Sequence, residues 1–346
     1  MKKNPYSLVF GKNPNQLISR PVQSNLILDT FFDDEPSQQV FMITGLRGAG
    51  KTVFMTDISK TIEKQPDWIV VNLSPENNLL ESLASKLSSE NSLAKLFKSA
   101  KINLSFFGFG LEVSGVAPIT DIETAITKML ASIKKQGKRV LVTIDEVVST
   151  DTMRKFASAF QIFVRQDLPI FLLMTGLYEN ISELQNEKTL TFLYRATKID
   201  LKPLNIKNIA SNYKKTLGVS EELSLKMAKL TKGYPFAFQV LGYFMWNSEG
   251  KLNDILDEYS QYLEEYVYEK IWSELSNKDR EIAYGIAMTK TGKISEIRAF
   301  LKLNTNEFNP YRKRLIKRGL IHGDVRGYVT FTLPLFEEFV KESYEG

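Results

Sequence analysis

Val40-Phe41-Met42-Ile43-Thr44-Gly45-Leu46-Arg47-Gly48-Ala49-Gly50-Lys51-Thr52 runs from an apolar strand into a glycine-rich turn that opens a helix. Residues 45–52 satisfy the pattern G-x-x-x-x-G-K-[ST] at every fixed position. The pattern has a physical basis. Gly45, Gly48 and Gly50 let the backbone turn successive N–H groups toward an anion, and the following helix adds the positive end of its dipole. Lys51 supplies a cation for the β- and γ-phosphates, and Thr52 a hydroxyl for Mg2+. Leu46, Arg47, Ala49 and Val53 fill the remaining positions of the candidate nucleotide-contact stretch. A phosphate-binding loop for a nucleoside triphosphate is therefore expected. A plain glycine-rich turn with an incidental lysine is the alternative, which the rest of the chain must decide.

Three further stretches favour the loop. Val140-Leu141-Val142-Thr143-Ile144-Asp145-Glu146 is a second apolar strand, and it ends in two acids. Buried parallel strands read as continuous apolar runs, and ligands sit at their carboxyl ends. There Asp145 can hold Mg2+ and Glu146 can activate a water, the pairing that hydrolysis requires. Ile170-Phe171-Leu172-Leu173-Met174-Thr175-Gly176 is a third strand, whose Thr175 hydroxyl would bridge Glu146, the water and the γ-phosphate. Arg195, just before the strand Lys198-Ile199-Asp200-Leu201, would stabilise developing charge on the γ-phosphate of its own or a neighbouring subunit. Arginines acting in this way contribute roughly 10³–10⁵ in rate. A solvated surface arginine is the other reading.

Taken in order, strand, phosphate loop, helix, strand (Trp68-Ile69-Val70-Val71-Asn72-Leu73), Asp-Glu strand, Thr strand, Arg and strand resemble the AAA+ ATPases. More narrowly they resemble the origin-recognition-like and STAND-type branch, including the archaeal-type ATPases. The opening Asn4-Pro5-Tyr6, Phe10-Gly11 and Ile18-Ser19-Arg20 is similar to the segment that lies against adenine in that class. Gly233-Tyr234-Pro235 resembles the Gly-x-Pro element of the STAND lid, which implies that Pro235 packs near the nucleotide base. One departure stands out. Initiators of the class carry an arginine at the start of the lid helix, where this chain has Pro235-Phe236-Ala237-Phe238. The resemblance with that departure implies a slow nucleotide-gated switch rather than a processive motor.

Composition excludes other chemistries. The chain of 346 residues is long enough for two or three domains. It has no cysteine, so disulfides and thiolate metal sites are ruled out. Its one histidine, His322, rules out a histidine metal cluster. No apolar run approaches the length of a membrane span, and Met1-Lys2-Lys3-Asn4-Pro5 does not lead into an apolar signal segment. A cytoplasmic protein without membrane contact is expected. The net charge of +5 is unevenly spread: residues 304–328 carry six Lys/Arg against two acids, whereas 251–290 carry five basic against nine acidic residues.

The predicted fold is α/β: a P-loop NTPase with a five-stranded parallel sheet of AAA+ type, a helical lid and a C-terminal winged helix. Residues 1–200 form the expected ATPase core. Within it, the Phe- and Gly-rich stretch 101–119 is expected to be an inserted β-hairpin or extended flap, and 77–98 a helix. Residues 201–250 are the expected lid, closing at Gly250. Residues 251–346 are the expected acidic connector and winged-helix domain. In the latter Asn309 is expected to cap a basic helix with Pro310 at its first position. Arg312, Lys313, Arg314, Lys317 and Arg318 on that helix, with Arg326 in the following turn, are candidates for contacts to double-stranded DNA phosphates. Three outputs remain open: DNA binding, protein–protein contact or self-association, and a non-hydrolysing adaptor in which ATP or ADP is a structural clamp.

Overall fold

The computed structural model describes residues 3–9, 14–248, 251–289 and 291–345. Phe10, Gly11 and Gly250 lie outside the described residues. Two compact units result: one comprises Arg20–Thr44 and Lys51–Asp200, the other Met1–Ser19, Gly45–Gly50 and Leu201–Gly346. The sequence predicts divisions at residues 200 and 250, whereas these units divide the chain near 200 and share out its first 50 residues differently.

The first unit is built on five parallel strands: β1 (Val40–Thr44), β2 (Trp68–Leu73), β3 (Arg139–Ile144), β4 (Ile170–Gly176) and β5 (Thr197–Asp200). They lie in the order β2-β3-β4-β1-β5. β1, β3 and β4 are almost wholly buried, as their unbroken apolar runs predict. Met42, Val140, Val142, Leu172 and Met174 project into a core with the helices Leu79–Ser89, Ile122–Lys134 and Asp151–Arg165. On the opposite face, Phe31 of the helix Pro21–Phe32 meets Phe41 and Phe171 edge-on, with ring centroids 5.3 and 5.0 Å away. Arg139 donates to the carbonyls of Phe31 and Asp33 at that helix's end, satisfying acceptors the helix itself leaves free.

Two local expectations are corrected here. Residues 77–98 form two helices, Leu79–Ser89 and Asn91–Ser99, because Glu90 is extended and its carboxylate caps the second by accepting from the Ser92 N–H. Residues 101–119 form no hairpin; their only regular structure is a single 3-10 turn at Ser105–Phe107. The side chains of Ile102, Leu104 and Leu111 enter the core, and the Asn103 amide bridges the carbonyls of Val113 and Val116. The alternation of the stretch thus reflects a loop folded on its own side chains.

In the second unit the helices Ile206–Leu217, Glu221–Leu230 and Pro235–Asn247 pack together. Residues 4–7 are strapped across them. The buried Tyr6 donates its hydroxyl to Asn212, the Ser7 N–H donates to Gln239, and the Asn4 amide donates to the Tyr243 carbonyl. Gly242 permits this: a Cβ there would stand 2.6 Å from the Tyr6 ring. Residues 256–273 follow as helix, with one wide π turn at Glu264–Tyr268.

The last segment comprises the helices Asn277–Met288, Ile294–Leu301 and Thr305–Arg318, the short antiparallel strands β6 (Ile321–His322) and β7 (Thr330–Phe331), and the helix Phe336–Glu345. The basic helix starts five residues earlier than expected. Asn304 caps it and Glu307 completes a capping box, so Pro310 lies inside the helix. Gly319 ends it in the left-handed region at φ 81°. Among the described residues no helix is long and apolar enough to cross a membrane.

Candidate functional site

The carboxyl edge of the parallel sheet gathers the acids and hydroxyls. Ile144 pairs with Met174, so the next residues along β3 and β4, Asp145 and Thr175, come level. The Asp145 carboxylate accepts on both oxygens. Thr52 Oγ1 donates to Oδ2 at 2.7 Å, and Thr175 Oγ1 donates to Oδ1. The Glu146 N–H lies 3.1 Å from Asp145 Oδ1 and 3.1 Å from Thr175 Oγ1. Thr175 is fully buried and the Glu146 side chain is exposed.

Glu146 takes φ 53°, in the left-handed region. The cause is local. Val147 donates its N–H to the Thr175 carbonyl at 2.8 Å, which ties the chain back to β4 three residues past the end of β3. Glu146 must make the turn between two fixed neighbours. A non-glycine residue held there costs about 1–2 kcal/mol.

Lys51 and Thr52 open the helix Lys51–Glu63, which has no acidic residue in its first turn. Lys51 is buried, while Thr52 and Val53 are half-buried.

In the second unit, the loop Gly45–Gly50 carries φ 70° at Gly48 and 83° at Gly50. Ala49 is buried and its N–H closes a turn onto the Leu46 carbonyl. Tyr234 donates its hydroxyl to the Arg47 carbonyl at 2.6 Å, and the Phe236 N–H donates to the Gly48 carbonyl at 3.2 Å. Pro235 stands at the first position of its helix, and a Cβ on Gly50 would lie 3.8 Å from it. The Arg47 guanidinium grips Glu274 with a two-pronged ion pair, Nη2 to Oε1 at 2.7 Å and Nε to Oε2 at 3.4 Å.

The other expected residues are spread more widely. Arg195 is exposed at the end of the helix Thr191–Arg195, and it takes no part in the hydrogen bonds around Asp145. On the basic helix, Arg314 is committed internally. It donates to the carboxylate of Asp279, which is 1% exposed, at 2.7 Å, and to the Ser276 hydroxyl. Its guanidinium also lies 4.9 Å from the Tyr311 ring centroid. Arg318 donates to the Glu274 carbonyl, and Arg312 is half-buried. Lys313, Lys317 and Arg326 are exposed.

The donor set fits Mg2+. Asp145 and Thr52 offer hard oxygens, and Mg2+ bound with substrate phosphates needs only one or two protein donors because water fills the remaining positions.

Three contacts near these residues escape the sequence reading. Thr143 donates to Asn72 at the sheet edge, and the polar Asn72 inside Trp-Ile-Val-Val-Asn-Leu is a visible signal for it. Tyr234 and Glu274 reach the loop across about 190 and 230 residues of sequence, a range at which no local pattern gives warning.

The chain has an origin-recognition-like AAA+ ATPase fold. Its structure matches that of a Walker-type ATPase of Pyrococcus abyssi with a TM-score of 0.66 at 16% identity, over 94% of this chain and 96% of that one. It matches the ORC2 protein of Aeropyrum pernix, solved as ADPNP–ADP complexes, with a TM-score of 0.63 at 14% identity over 97% and 96%. It matches Cdc6p from Pyrobaculum aerophilum with a TM-score of 0.50 at 11% identity over 97% of both chains. A family model described as a domain of unknown function (DUF8462) matches residues 265–340. No curated protein matches the chain.

Proposed function

We propose that this protein binds ATP with Mg2+ through residues 45–52 and Asp145, hydrolyses it slowly, and uses the nucleotide state as a switch. The observation that carries the reading is the convergence of Thr52, Thr175 and the Glu146 N–H on one carboxylate, that of Asp145. Three separate sequence signals meet there within hydrogen-bonding distance. The likeness to an ADPNP–ADP-bound ORC2 fold is consistent with it.

In this reading Lys51 and the amides of residues 45–52 hold the phosphates. Mg2+, held by Thr52 and Asp145, would neutralise phosphate charge. Glu146 accepts the proton of the attacking water from its exposed position. Thr175 fixes the Asp145–Glu146 pair and senses the γ-phosphate. Arg195 is the candidate cation for the developing charge, in its own or a neighbouring subunit. Turnover is slow because the lid helix opens with Pro235-Phe236-Ala237-Phe238 and offers no cation. Residues 201–250 act as the lid, and residues 251–346 act as connector and winged helix. Lys51→Ala is expected to abolish ATP binding in a fluorescent-nucleotide titration. Glu146→Gln is expected to bind normally and not to turn over; turnover equal to wild type would remove Glu146 from its role.

For the output we favour double-stranded DNA over a protein partner, on the exposure of Lys313, Lys317 and Arg326 along the basic helix and the turn after it. Each phosphate contact they make would steepen the log–log salt dependence by about 0.9. The Lys313/Lys317/Arg326 triple alanine variant leaves the Arg314–Asp279 pair intact and is expected to lose DNA affinity. No DNA binding by wild type at low salt would favour a protein partner instead.

A further inference from the structure

The phosphate loop has two sides. A loop that turns successive N–H groups toward an anion must turn carbonyls outward, and those carbonyls need partners if they are shielded from water. Here the partners are specific. The carbonyl of Arg47 takes the hydroxyl of Tyr234, which is 4% exposed, and the carbonyl of Gly48 takes the Phe236 N–H. The side chain of Arg47 is pinned by Glu274, whose own backbone carbonyl accepts from Arg318. Leu46 packs beside Gly319, where a Cβ would stand 3.4 Å from its Cγ. Every consecutive residue from Leu46 to Gly48 is thus fastened from the C-terminal half of the chain.

We propose that Tyr234 and Glu274 are positioning residues for the phosphate loop: from behind, they hold it in the conformation that receives the phosphates of a nucleotide. The inference rests on the nucleotide reading above and adds to it the parts that pre-form the loop. Burial pushes the Tyr234 hydroxyl far above the range of an ordinary phenol, so it remains a donor throughout the working pH range. Gly48 fits the same arrangement, because a Cβ there would collide with the Tyr234 hydroxyl and the Phe236 Cβ. The Glu274 ion pair is about one-third exposed on each partner, so its share is salt-sensitive.

The test uses the whole chain and three variants: Tyr234→Phe, Glu274→Gln and the double variant. Fluorescent ADP is the probe, and inorganic tripolyphosphate is the competitor that reads the loop alone. Each single variant is expected to weaken both ligands about two- to tenfold, the worth of one lost hydrogen bond. The double variant is expected to weaken them further. The Glu274→Gln effect should shrink at high salt and the Tyr234→Phe effect should not. A purely structural role would lower the melting temperature and leave both affinities at wild-type values; that result overturns the inference while the nucleotide reading stands. A wild-type protein that binds neither ligand overturns the nucleotide reading and takes the inference with it.

Discussion

At Glu146 the backbone and the side chain answer to different demands. Its N–H is spent on Asp145 and Thr175, its φ is left-handed, and its carboxylate is exposed. A strained residue kept at a strand tip is the pattern expected where chemistry outweighs stability. Glu146→Gly is therefore expected to raise unfolding stability by about 1 kcal/mol while ending turnover; denaturant melts and a phosphate-release assay check both halves. Thr175→Val keeps the buried shape and removes the hydroxyl. Asp145 then loses one donor and the Glu146 N–H one acceptor, and turnover is expected to fall about tenfold or more. The residues that meet at Asp145 were legible one by one, because the loop and the Asp-Glu pair are contiguous patterns tied to strand ends. The strain at Glu146 was not, since it follows from a hydrogen bond between Val147 and a strand nearly 30 residues away.

Among the elements, the basic helix shows what a local pattern can mislead. Pro310 suits a helix start, and it suggested one. The Asn304–Glu307 capping box fixes the start earlier, and the helix tolerates the proline inside it. Part of the charge on this helix also has structural work. Asp279 is buried, caps its own helix together with Ser276, and takes its counter-charge from Arg314. Arg314→Ala leaves that carboxylate buried and unpaired. The expected cost is about 2 kcal/mol, below the full value for a buried pair because Arg314 is itself half exposed. A denaturant melt measures it. A DNA-binding defect in that variant would then report lost folding as well as a lost phosphate contact. The stretch 101–119 teaches the same lesson for strands. Its alternating residues have no partner strand, and Asn103 satisfies the carbonyls that a hairpin would have paired.

For the whole molecule, the sequence supplied five strands and their parallel character but not their order. β4 lies between β1 and β3, and this alone puts Thr175 beside Asp145. Sequence order carries no trace of it, because the crossover helices would serve several arrangements. Nucleotide affinity should appear at this scale as stability. Ligand at about a hundred times its Kd adds about 2.7 kcal/mol, so ADP with Mg2+ is expected to raise the melting temperature of wild type and leave that of Lys51→Ala unmoved. The strap of residues 4–7 has a consequence for how the protein is made. Tyr6 finishes its packing against Asn212, Gly242 and Phe238, more than 200 residues downstream. The ribosome therefore releases the parallel sheet, whose last strand ends at Asp200, before residues 4–7 have anything to close on. That strap is among the last segments to settle, and during translation Tyr6 waits in water as an exposed aromatic.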